Sequence, residues 1–339
     1  MANFIEVLST IPFNEAQVKV LESVSPRLRV TVHKALRPDE VPAEVWERVE
    51  VLYTSRALPA VEQAGRLRWI QFHWAGIDHA LDAPILYQQG LQVSNLSGVA
   101  VTQLAEYVVM MMLALGHRLP DLAVSQRKAE WPADRWERFR PCELRGSTVG
   151  IVGYGSIGRE VARLLNALGA TVLATKRDAK HPESRRYTPE GLGDPTGDLA
   201  RRIYPPQAIA SMFKLCDFVL VSVPLTAETR HLIGTRELAA LKPGAFIVDI
   251  SRGHVIDPAA LIAALREQKL GGAALDVFPQ EPLPPDNPLW KMPNVILTPH
   301  IAGNTAHYDE LAAAFFAENL HRYLAGLPLY NLVDVGRGY

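Results

Sequence analysis

The chain contains only two cysteines among 339 residues, and this scarcity excludes several classes of protein. Cys142 and Cys216 are too few for a disulfide framework, and their spacing matches no metal-ligand pattern. We therefore expect a reducing, cytoplasmic location and no metal site. Neither charge is in surplus, because 35 Lys and Arg residues stand against 36 Asp and Glu residues. That balance gives no indication of a nucleic-acid partner or of binding to a charged membrane.

Long apolar runs are also missing. The most apolar stretch, Tyr107–Leu115, is far shorter than the roughly 20 residues of a membrane-spanning helix. The N-terminal sequence MANFIEVLSTIPF has neither the basic start nor the apolar stretch of a signal peptide. We expect a soluble, unsecreted protein without a membrane partner, and the length is sufficient for two domains.

Short apolar runs alternate with helical patterns along the chain, which is typical of α/β proteins. In the first hundred residues the predicted strands are Phe4–Leu8, Leu28–Val32, Val49–Tyr53, Trp69–Phe72 and Gln92–Ser94, with helices such as Asn14–Ser23 and Ala43–Glu47. A second series of predicted strands comprises Thr148–Val152, Thr171–Thr175, Phe218–Val223, Ala245–Ile250, Ala273–Phe278 and Val295–Thr298. Six strands separated by helices predict a doubly wound parallel sheet.

Two helices suggest how the domains are divided. The apolar pattern of Val101–Gly116 predicts a buried helix that joins two domains. The final helix, Ala306–Ala325, is long enough to return to the first domain. We therefore predict a discontinuous domain of residues 1–100 and 306–339, and a second domain of residues 101–305. One helix and one short strand are expected between Lys176 and Cys216, and a long polar segment rich in Gly and Pro is added to them, which predicts an extended surface loop.

A glycine-rich motif opens the second series. Gly153, Gly155 and Gly158 form G-x-G-x-x-G between the predicted strand and a helical pattern at Arg159–Leu168, which is the context that a dinucleotide-binding turn requires. The glycines permit a tight turn, close approach of the pyrophosphate, and close helix–strand packing. The N–H groups of Ser156 and Ile157 at the helix start would meet phosphate oxygens.

The choice of cofactor depends on the end of the next predicted strand. An NAD site has a carboxylate there that accepts hydrogen bonds from the ribose 2′-OH. Here the strand is followed by Lys176 and Arg177, and Asp178 lies past the expected position. We therefore predict NADP over NAD; solvated loop charges and dual cofactor use are the alternative. Arg185 and Arg186 form a second basic pair that could fold over the same phosphate, although such surface pairs are common.

Three polar side chains in the last third of the chain each follow an apolar run predicted as a strand. They are Arg252 in VDISRGHVID, Glu281 in ALDVFPQEPLP and His300 in NVILTPHIAG. Because the carboxyl ends of parallel strands share the edge where ligands bind, we expect these side chains to lie close together. A guanidinium can hold a carboxylate, and an imidazole supported by a carboxylate can transfer a proton. With the dinucleotide motif, this set indicates hydride transfer to a carbonyl group.

The chain resembles the D-isomer-specific 2-hydroxyacid dehydrogenase family, which includes phosphoglycerate dehydrogenases and glyoxylate/hydroxypyruvate reductases. The similar segments follow the family's order over most of the chain: WAGIDHALD, SNLSGVAVTQLAEY, LRGSTVGIVGYGSIG, CDFVLVSVPLTAETRHLI, LKPGAFIVDISRGHVID, GGAALDVFPQEPLP and NPLWKMPNVILTPHIAG. The resemblance implies a Rossmann cofactor domain and a smaller flavodoxin-like α/β substrate domain. It also implies that Arg252 binds the substrate, that His300 is the acid–base catalyst, and that Glu281 favours the protonated imidazole.

The resemblance implies further ligand contacts. Backbone N–H groups of Ala75, Gly76 and Ile77 would bind the substrate carboxylate, and Asp276 would accept a hydrogen bond from the nicotinamide carboxamide unless it only caps a helix. Residues expected to line the adenosine, the nicotinamide ribose and the domain junction are Val223, Pro224, Thr229, Ile250, Ser251, Thr102 and Gly303. The family also implies a homodimer, for which the helix Val101–Leu115 and the segment around Trp131 and Trp136 could supply the surface.

Three functions are compatible with these patterns. The leading hypothesis is an NADPH-dependent reductase of a small 2-oxoacid such as glyoxylate or hydroxypyruvate. The second is NAD-linked oxidation of a larger D-2-hydroxyacid such as 3-phosphoglycerate, for which Arg56 and Arg66–Arg68 are candidate phosphate contacts. The third is a non-catalytic dinucleotide sensor, which would not need the Arg–Glu–His set. Trp74 replaces a residue that is often small in the family and is expected to narrow the substrate side. We expect no C-terminal regulatory domain after the last helix.

Overall fold

The computed structural model describes residues 4–184 and 186–338, so Arg185 lies outside the described residues. The chain divides into two units, the first formed by Met1–Ala100 with Thr305–Tyr339 and the second by Val101–Asn304. The predicted division placed the second boundary between residues 305 and 306, one residue further along the chain.

The strands of the first unit are β1 (Ile5–Ser9), β2 (Leu28–Val32), β3 (Val51–Thr54), β4 (Trp69–Phe72) and β5 (Gln92–Ser94). Those of the second unit are β6 (Thr148–Val152), β7 (Thr171–Thr175), β8 (Arg202–Tyr204), β9 (Phe218–Val221), β10 (Ala245–Asp249), β11 (Leu270–Leu275) and β12 (Val295–Leu297). The α-helices in the described part of the chain are α1 (Glu15–Glu22), α2 (Ala43–Trp46), α3 (Val101–Gly116), α4 (Leu119–Arg127), α5 (Arg135–Arg138), α6 (Ser156–Ala167), α7 (Ile209–Phe213), α8 (Thr235–Ala239), α9 (Pro258–Arg266) and α10 (Tyr308–Leu324).

The first unit contains a parallel sheet in the order β2-β1-β3-β4-β5. This is the flavodoxin-like order. The C-terminal helix α10 packs on this sheet, since the ring of Phe316 lies 4.7 Å from that of Tyr53 and 5.3 Å from that of Trp69. These aromatic rings are fully buried, which explains why a segment from the end of the chain belongs to a unit formed mainly by its beginning.

The second unit contains a parallel sheet in the order β12-β11-β10-β9-β6-β7-β8. Helices cover both faces, and the central strands consist almost entirely of buried apolar residues, as expected for such a sheet. The order reverses between β6 and β9, so the carboxyl ends of these two strands form a topological switch point. The predicted fold class is confirmed.

Only one predicted strand differs from its observed bounds by more than two residues. The strand β11 lies at Leu270–Leu275 and not at Ala273–Phe278, because Gly271 and Gly272 belong to it. A Cβ on Gly272 would lie 2.5 Å from the carbonyl oxygen of Asn294, so glycine is required there by close approach of the neighbouring backbone. The short strand and the helix expected between Lys176 and Cys216 are β8 and α7; β8 pairs with β7 at the sheet edge and follows the long polar segment.

Among the described residues, no single helix has the length and apolar character of a membrane span, although α3 and α4 reach both together across a 63° bend.

Candidate active site

The glycine-rich turn follows β6 at the switch point of the second unit. Ser222, which follows β9, donates a hydrogen bond from its hydroxyl to the carbonyl oxygen of Gly153 at 3.2 Å. From the other side, Tyr154 N–H donates to the carbonyl oxygen of Thr175 at the end of β7. The turn is therefore fixed between the carboxyl ends of β7 and β9, the two strands that flank β6.

Each glycine of the motif has a separate structural reason. Gly153 has φ +104°, in the left-handed region, and a Cβ there would lie 2.8 Å from Val223 Cγ1. A Cβ on Gly158 would lie 2.4 Å from the carbonyl oxygen of Gly153, so helix α6 can approach the turn only with glycine at this position. A Cβ on Gly155 would meet nothing within 4 Å. The space above Gly155 is therefore open, as close approach of a phosphate requires.

The first turn of α6 has the properties of an anion site. Gly155 at the N-cap supplies no side-chain acceptor for the helix N–H groups, which include those of Ser156 and Ile157. The hydroxyl of Ser156 is buried, and no hydrogen-bond partner for it occurs among the described residues. Unpaired donors at a helix start favour a phosphate group. The residues present thus fit the pyrophosphate of a dinucleotide.

The two basic residues after β7 have different environments. Lys176 Nζ donates to the carbonyl oxygen of His181 and, at 2.9 Å, to that of Glu183. Its ammonium group therefore holds the following segment, which the sequence did not indicate. Arg177 is exposed, and Asp178 accepts a hydrogen bond from His181 Nδ1 at 2.7 Å.

Glu281 and His300 lie in contact beyond the carboxyl ends of β11 and β12. Glu281 Oε2 is 2.7 Å from His300 Nδ1, and Glu281 Oε1 accepts the N–H of Phe278 at 3.0 Å. Because a carboxylate only accepts, Nδ1 carries the hydrogen in this contact, and the Nε2 atom is left for another partner. The side chain of His300 is 46% exposed and that of Glu281 is 38% exposed, so their ion pair adds only about 0–1 kcal/mol to the free energy of unfolding.

The backbone of His300 is strained and is held by Asp276. His300 has φ +55°, a left-handed conformation that costs a non-glycine residue about 1–3 kcal/mol. The carboxylate of Asp276 accepts the N–H of Ile301 and that of Ala302, both at 2.9 Å, and the hydroxyl of Thr298 at 2.6 Å. In this structure Asp276 is therefore engaged by the loop that carries His300. A contact with the nicotinamide carboxamide stays a prediction.

Helix α3 contributes to the same loop, which the sequence analysis missed. The hydroxyl groups of Tyr107 and Thr298 are 2.6 Å apart, and Gln103 Nε2 donates to the carbonyl oxygen of Gly303 at 3.2 Å. Tyr107 thus extends the chain of hydrogen bonds from Thr298 to Asp276. No local pattern could have indicated this contact, because Tyr107 and Thr298 are 191 residues apart.

Arg252 follows β10, the neighbour of β11. Its Nη1 atom donates to the carbonyl oxygen of Ser251 at 2.8 Å. Below it, the buried carboxyl group of Asp249 accepts the N–H and the hydroxyl of Ser251. Burial raises the pKa of Asp249 to about 7. The hydrogen bonds from Ser251 and the charge of Arg252 oppose this rise, whereas the negative charge of Asp276 adds to it. Asp249 is therefore a desolvated carboxyl group close to Arg252.

The remaining predicted cofactor residues lie at the same sheet edge or on α3. Val223 and Pro224 follow β9, and Thr229 ties their loop by donating from its hydroxyl to the carbonyl oxygen of Pro224 at 2.6 Å. Ile250 is buried at the end of β10. Thr102, in the first turn of α3, is exposed beside Gln103. Each position is compatible with its predicted contact.

In the first unit, Ala75, Gly76 and Ile77 follow β4 at its carboxyl end. Among residues 4–184 and 186–338, no acceptor pairs with their backbone N–H groups, so these donors are available to an anion. The ring of Trp74 lies 5.3 Å from that of Tyr308, and Trp74 is 46% exposed.

The candidate phosphate contacts of the first unit separate into two groups. Arg56 lines a cavity of about 300 Å³ together with His79. Arg66 and Arg68 precede β4, at the amino edge of the sheet, which is not the edge where ligands bind in parallel sheets. Arg56 is therefore the better placed of the predicted cations.

Fold and site together define a two-unit dinucleotide-binding α/β protein with an Arg, Glu and His set at the carboxyl edge of its larger sheet. The family model for the NAD binding domain of D-isomer specific 2-hydroxyacid dehydrogenases matches residues 109–302. The chain belongs to the D-isomer-specific 2-hydroxyacid dehydrogenase family.

Two curated relatives and one solved structure illustrate the range of similarity. A D-3-phosphoglycerate dehydrogenase from Methanocaldococcus jannaschii is 32% identical over 335 residues, which cover 98% of this chain and 60% of the relative. A glyoxylate reductase from Thermofilum pendens is 34% identical over 268 residues, covering 78% of this chain and 74% of the relative. The crystal structure of a D-isomer specific 2-hydroxyacid dehydrogenase from Xanthobacter autotrophicus, in complex with NADPH and MES, is 29% identical, with a TM-score of 0.80 and coverage of 100% of both chains. The chain thus spans about 60% of the length of the phosphoglycerate dehydrogenase relative.

Proposed function

We propose that the protein is an NADPH-preferring reductase of small 2-oxoacids, of the glyoxylate or hydroxypyruvate type. The observation that carries this proposal is the 2.7 Å contact between His300 Nδ1 and Glu281 Oε2. It fixes an imidazole with Nε2 available, at the sheet edge that also holds Arg252 and the dinucleotide turn. A protein that only sensed a dinucleotide would need no oriented proton donor at this edge.

The roles of the three side chains follow from their chemistry. Arg252 offers a planar fork of donors that can bind the carboxylate and the carbonyl oxygen of a 2-oxoacid. His300 gives a proton from Nε2 to the carbonyl oxygen as that oxygen gains negative charge, and Glu281 stabilises the charged ring and fixes its orientation. When bound, the reduced nicotinamide supplies the hydride that adds to the carbonyl carbon. Ala75, Gly76 and Ile77 are proposed as further donors to the carboxylate.

The preference for NADPH is supported by the residues after β7. Lys176 and Arg177 occupy the positions after β7 where an NAD site has the carboxylate that binds the ribose. Arg177 is exposed at the end of this strand. The relative from Xanthobacter autotrophicus was crystallised with NADPH. We keep NAD as a weaker alternative cofactor.

The alternative function is oxidation of a larger D-2-hydroxyacid such as 3-phosphoglycerate with NAD. The relative from Methanocaldococcus jannaschii carries that name, and Arg56 lines a cavity in the first unit. The name of the relative from Thermofilum pendens favours glyoxylate. Because Arg66 and Arg68 lie at the amino edge of their sheet, Arg56 would have to supply most of the charge that binds a phosphate.

A panel of 2-oxoacids, assayed by the loss of absorbance of NADPH and of NADH in parallel, tests the proposal. We expect turnover of glyoxylate or hydroxypyruvate, with a higher kcat/KM for NADPH than for NADH. Oxidation of D-3-phosphoglycerate is measured in the opposite direction, with Arg56→Ala as the matched variant. Efficient oxidation of phosphoglycerate that depends on Arg56, without reduction of small 2-oxoacids, would establish the alternative. Absence of turnover in both directions would contradict the enzyme assignment.

We also propose a cytoplasmic homodimer. Cys142 and Cys216 are free, which is compatible with a reducing compartment. Large apolar side chains are exposed in the region from α3 to α5, foremost Trp131 at 85% and Trp136, on α5, at 73% exposure. Such exposure favours a protein partner, and a second copy is the simplest one. Light scattering at micromolar concentration is expected to give twice the mass of the chain for the wild type and a lower mass for Trp136→Glu, whereas a monomeric wild type would contradict the dimer.

A further inference from the structure

The long segment between β7 and β8 spans residues 177–200. Its described residues, 177–184 and 186–200, form no helix or strand, yet they are fixed to the dinucleotide turn. Its fixation begins with Arg159, whose side chain is 1% exposed. The guanidinium of Arg159 donates to the carbonyl oxygens of Tyr154, Pro182 and Asp194. One buried cation thus connects the glycine-rich turn to two separate points of the segment.

Asp194 forms a second attachment. Its carboxylate accepts the hydroxyl of Tyr154 at 2.5 Å, the residue between the first two glycines of the motif. It also accepts backbone N–H groups of the segment itself, including those of Gly197 and Asp198 at 3.1 and 3.0 Å. Nearby, Glu160 on α6 accepts the N–H of Gly193 at 2.6 Å. Three buried charged side chains, Arg159, Glu160 and Asp194, therefore hold the segment, although each carries a desolvation cost.

Basic residues outnumber acidic residues at the start of the segment. Residues 176–186 contain five Lys and Arg residues and two acids, Asp178 and Glu183. Asp178 is paired with His181, and the backbone of Glu183 is held by Lys176. Residues 176–186, immediately after β7, therefore carry a positive formal charge, in a chain whose net charge is −1.

Arg186 lies at the end of this positively charged stretch. Its backbone N–H is bonded to Ser184 Oγ at 3.3 Å, and the N–H of Ser184 is bonded to the carbonyl oxygen of Pro195 at 2.9 Å. The position of Arg186 is thus set by the anchored part of the segment. Desolvation of its guanidinium, followed by the positive charge of Arg177, lowers the pKa of Arg186. Among the described residues no acid forms an ion pair with Arg186, so an anion bound there would relieve the repulsion from Arg177.

We propose that the segment 177–200 is a permanent wall of the cofactor site, in which Arg186 joins Arg177 in binding the 2′-phosphate of NADPH. Lys176 is then a positioning residue that holds the segment through the carbonyl groups of His181 and Glu183. This inference rests on the proposed preference for NADPH. It assigns the selection of the cofactor to a segment that lies outside the glycine-rich motif.

Calorimetric titration of the full-length protein with NADPH, NADH, 2′,5′-ADP and 5′-ADP tests the assignment without depending on turnover. Arg186→Ala is expected to raise Kd for NADPH and for 2′,5′-ADP by about 10- to 100-fold, the range of a charge-assisted contact. Kd for NADH and 5′-ADP should change less than about twofold, because neither has the 2′-phosphate. Arg201→Ala is the matched control, because Arg201 is an exposed arginine before β8, at the amino edge of the same sheet.

A double-mutant cycle separates the two roles. If Lys176 acts by holding the segment, Lys176→Met should weaken NADPH binding in the wild type and have little further effect in Arg186→Ala. If the wild type prefers NADPH and Arg186→Ala binds 2′,5′-ADP as tightly as the wild type, the inference is wrong and the NADPH preference stands. A wild type that binds 2′,5′-ADP no better than 5′-ADP would overturn both the proposed preference and the inference.

Discussion

Replacing Asp249 with asparagine tests the electrostatic character of the edge that carries Arg252. Asp249 is 3% exposed and accepts two hydrogen bonds from Ser251 through one carboxylate oxygen. Asparagine has the shape of the protonated acid and retains this acceptor oxygen, but it cannot ionise. The substitution therefore removes the charge and changes the packing little.

The magnitude follows from the shift in the pKa of Asp249 from 3.8 to about 7. Below about pH 3 the carboxyl group is protonated in both the folded and the unfolded states, so its ionisation does not affect the free energy of unfolding. As the pH rises, the unfolded state ionises first and the folded state loses relative stability, until the folded state ionises near pH 7. A difference of about 3 between the pKa values of the folded and unfolded states corresponds to ~4 kcal/mol in the free energy of unfolding. The free energy of unfolding of Asp249→Asn, relative to that of the wild type, should therefore increase by ~2–3 kcal/mol between pH 5 and pH 8.

Differential scanning calorimetry at pH 5 and pH 8 measures this change. For a unit of this size the gap in Tm between Asp249→Asn and the wild type should widen by about 5–10 °C. Asp286→Asn, a substitution of an exposed aspartate, provides the baseline for pH effects elsewhere in the protein. Any constant effect of the asparagine cancels, because only the change between the two pH values is used. A gap that stays constant, or that narrows at pH 8, would refute the assignment of a desolvated carboxyl group to this edge.

The glycine motif and the loop of His300 give two further predictions. Gly155→Ala should leave Tm unchanged, since its Cβ would meet nothing in the protein, but it should weaken NADPH binding. Gly158→Ala should destabilise the protein by about 1–3 kcal/mol, since its Cβ would lie 2.4 Å from a carbonyl oxygen. Calorimetry and titration distinguish them, and equal loss of Tm in both would contradict the geometry. Tyr107→Phe removes the 2.6 Å contact with Thr298 and should lower kcat about 3- to 10-fold in steady-state assays, with unchanged Kd for NADPH. An unchanged kcat would show that this contact does not help to place His300.

Much of the fold could be predicted from the sequence because its central strands are short apolar runs with clear ends. The strands Leu28–Val32, Trp69–Phe72 and Thr148–Val152, among others, agree with their predicted bounds. The pattern failed at β11, because glycine is normally unfavourable in strands and Gly272 is required only by the neighbouring backbone. The pattern indicated a short strand between Lys176 and Cys216 but not the bounds of β8, because this edge strand has three residues and is preceded by a polar segment.

The site shows a similar division. The positions of Arg252, Glu281 and His300 after strands were apparent from local patterns. The contacts that hold them were not, because Asp276, Thr298 and Tyr107 meet only in the folded chain. The same is true of Lys176, whose charge predicted a phosphate contact but whose ammonium group binds two backbone carbonyl oxygens. Residue type and spacing indicate which groups lie at an edge, whereas their hydrogen-bond partners depend on tertiary packing.

The most direct test of the proposed mechanism is the turnover of a 2-oxoacid with NADPH by His300→Asn. Loss of the general acid should lower kcat by about 10²- to 10⁴-fold. Kd for NADPH, measured by titration of the same preparation, should stay within about twofold of the wild-type value, because none of the residues that form the dinucleotide turn is changed. A variant that retains full turnover would show that His300 is not the proton donor and would contradict the account of this site.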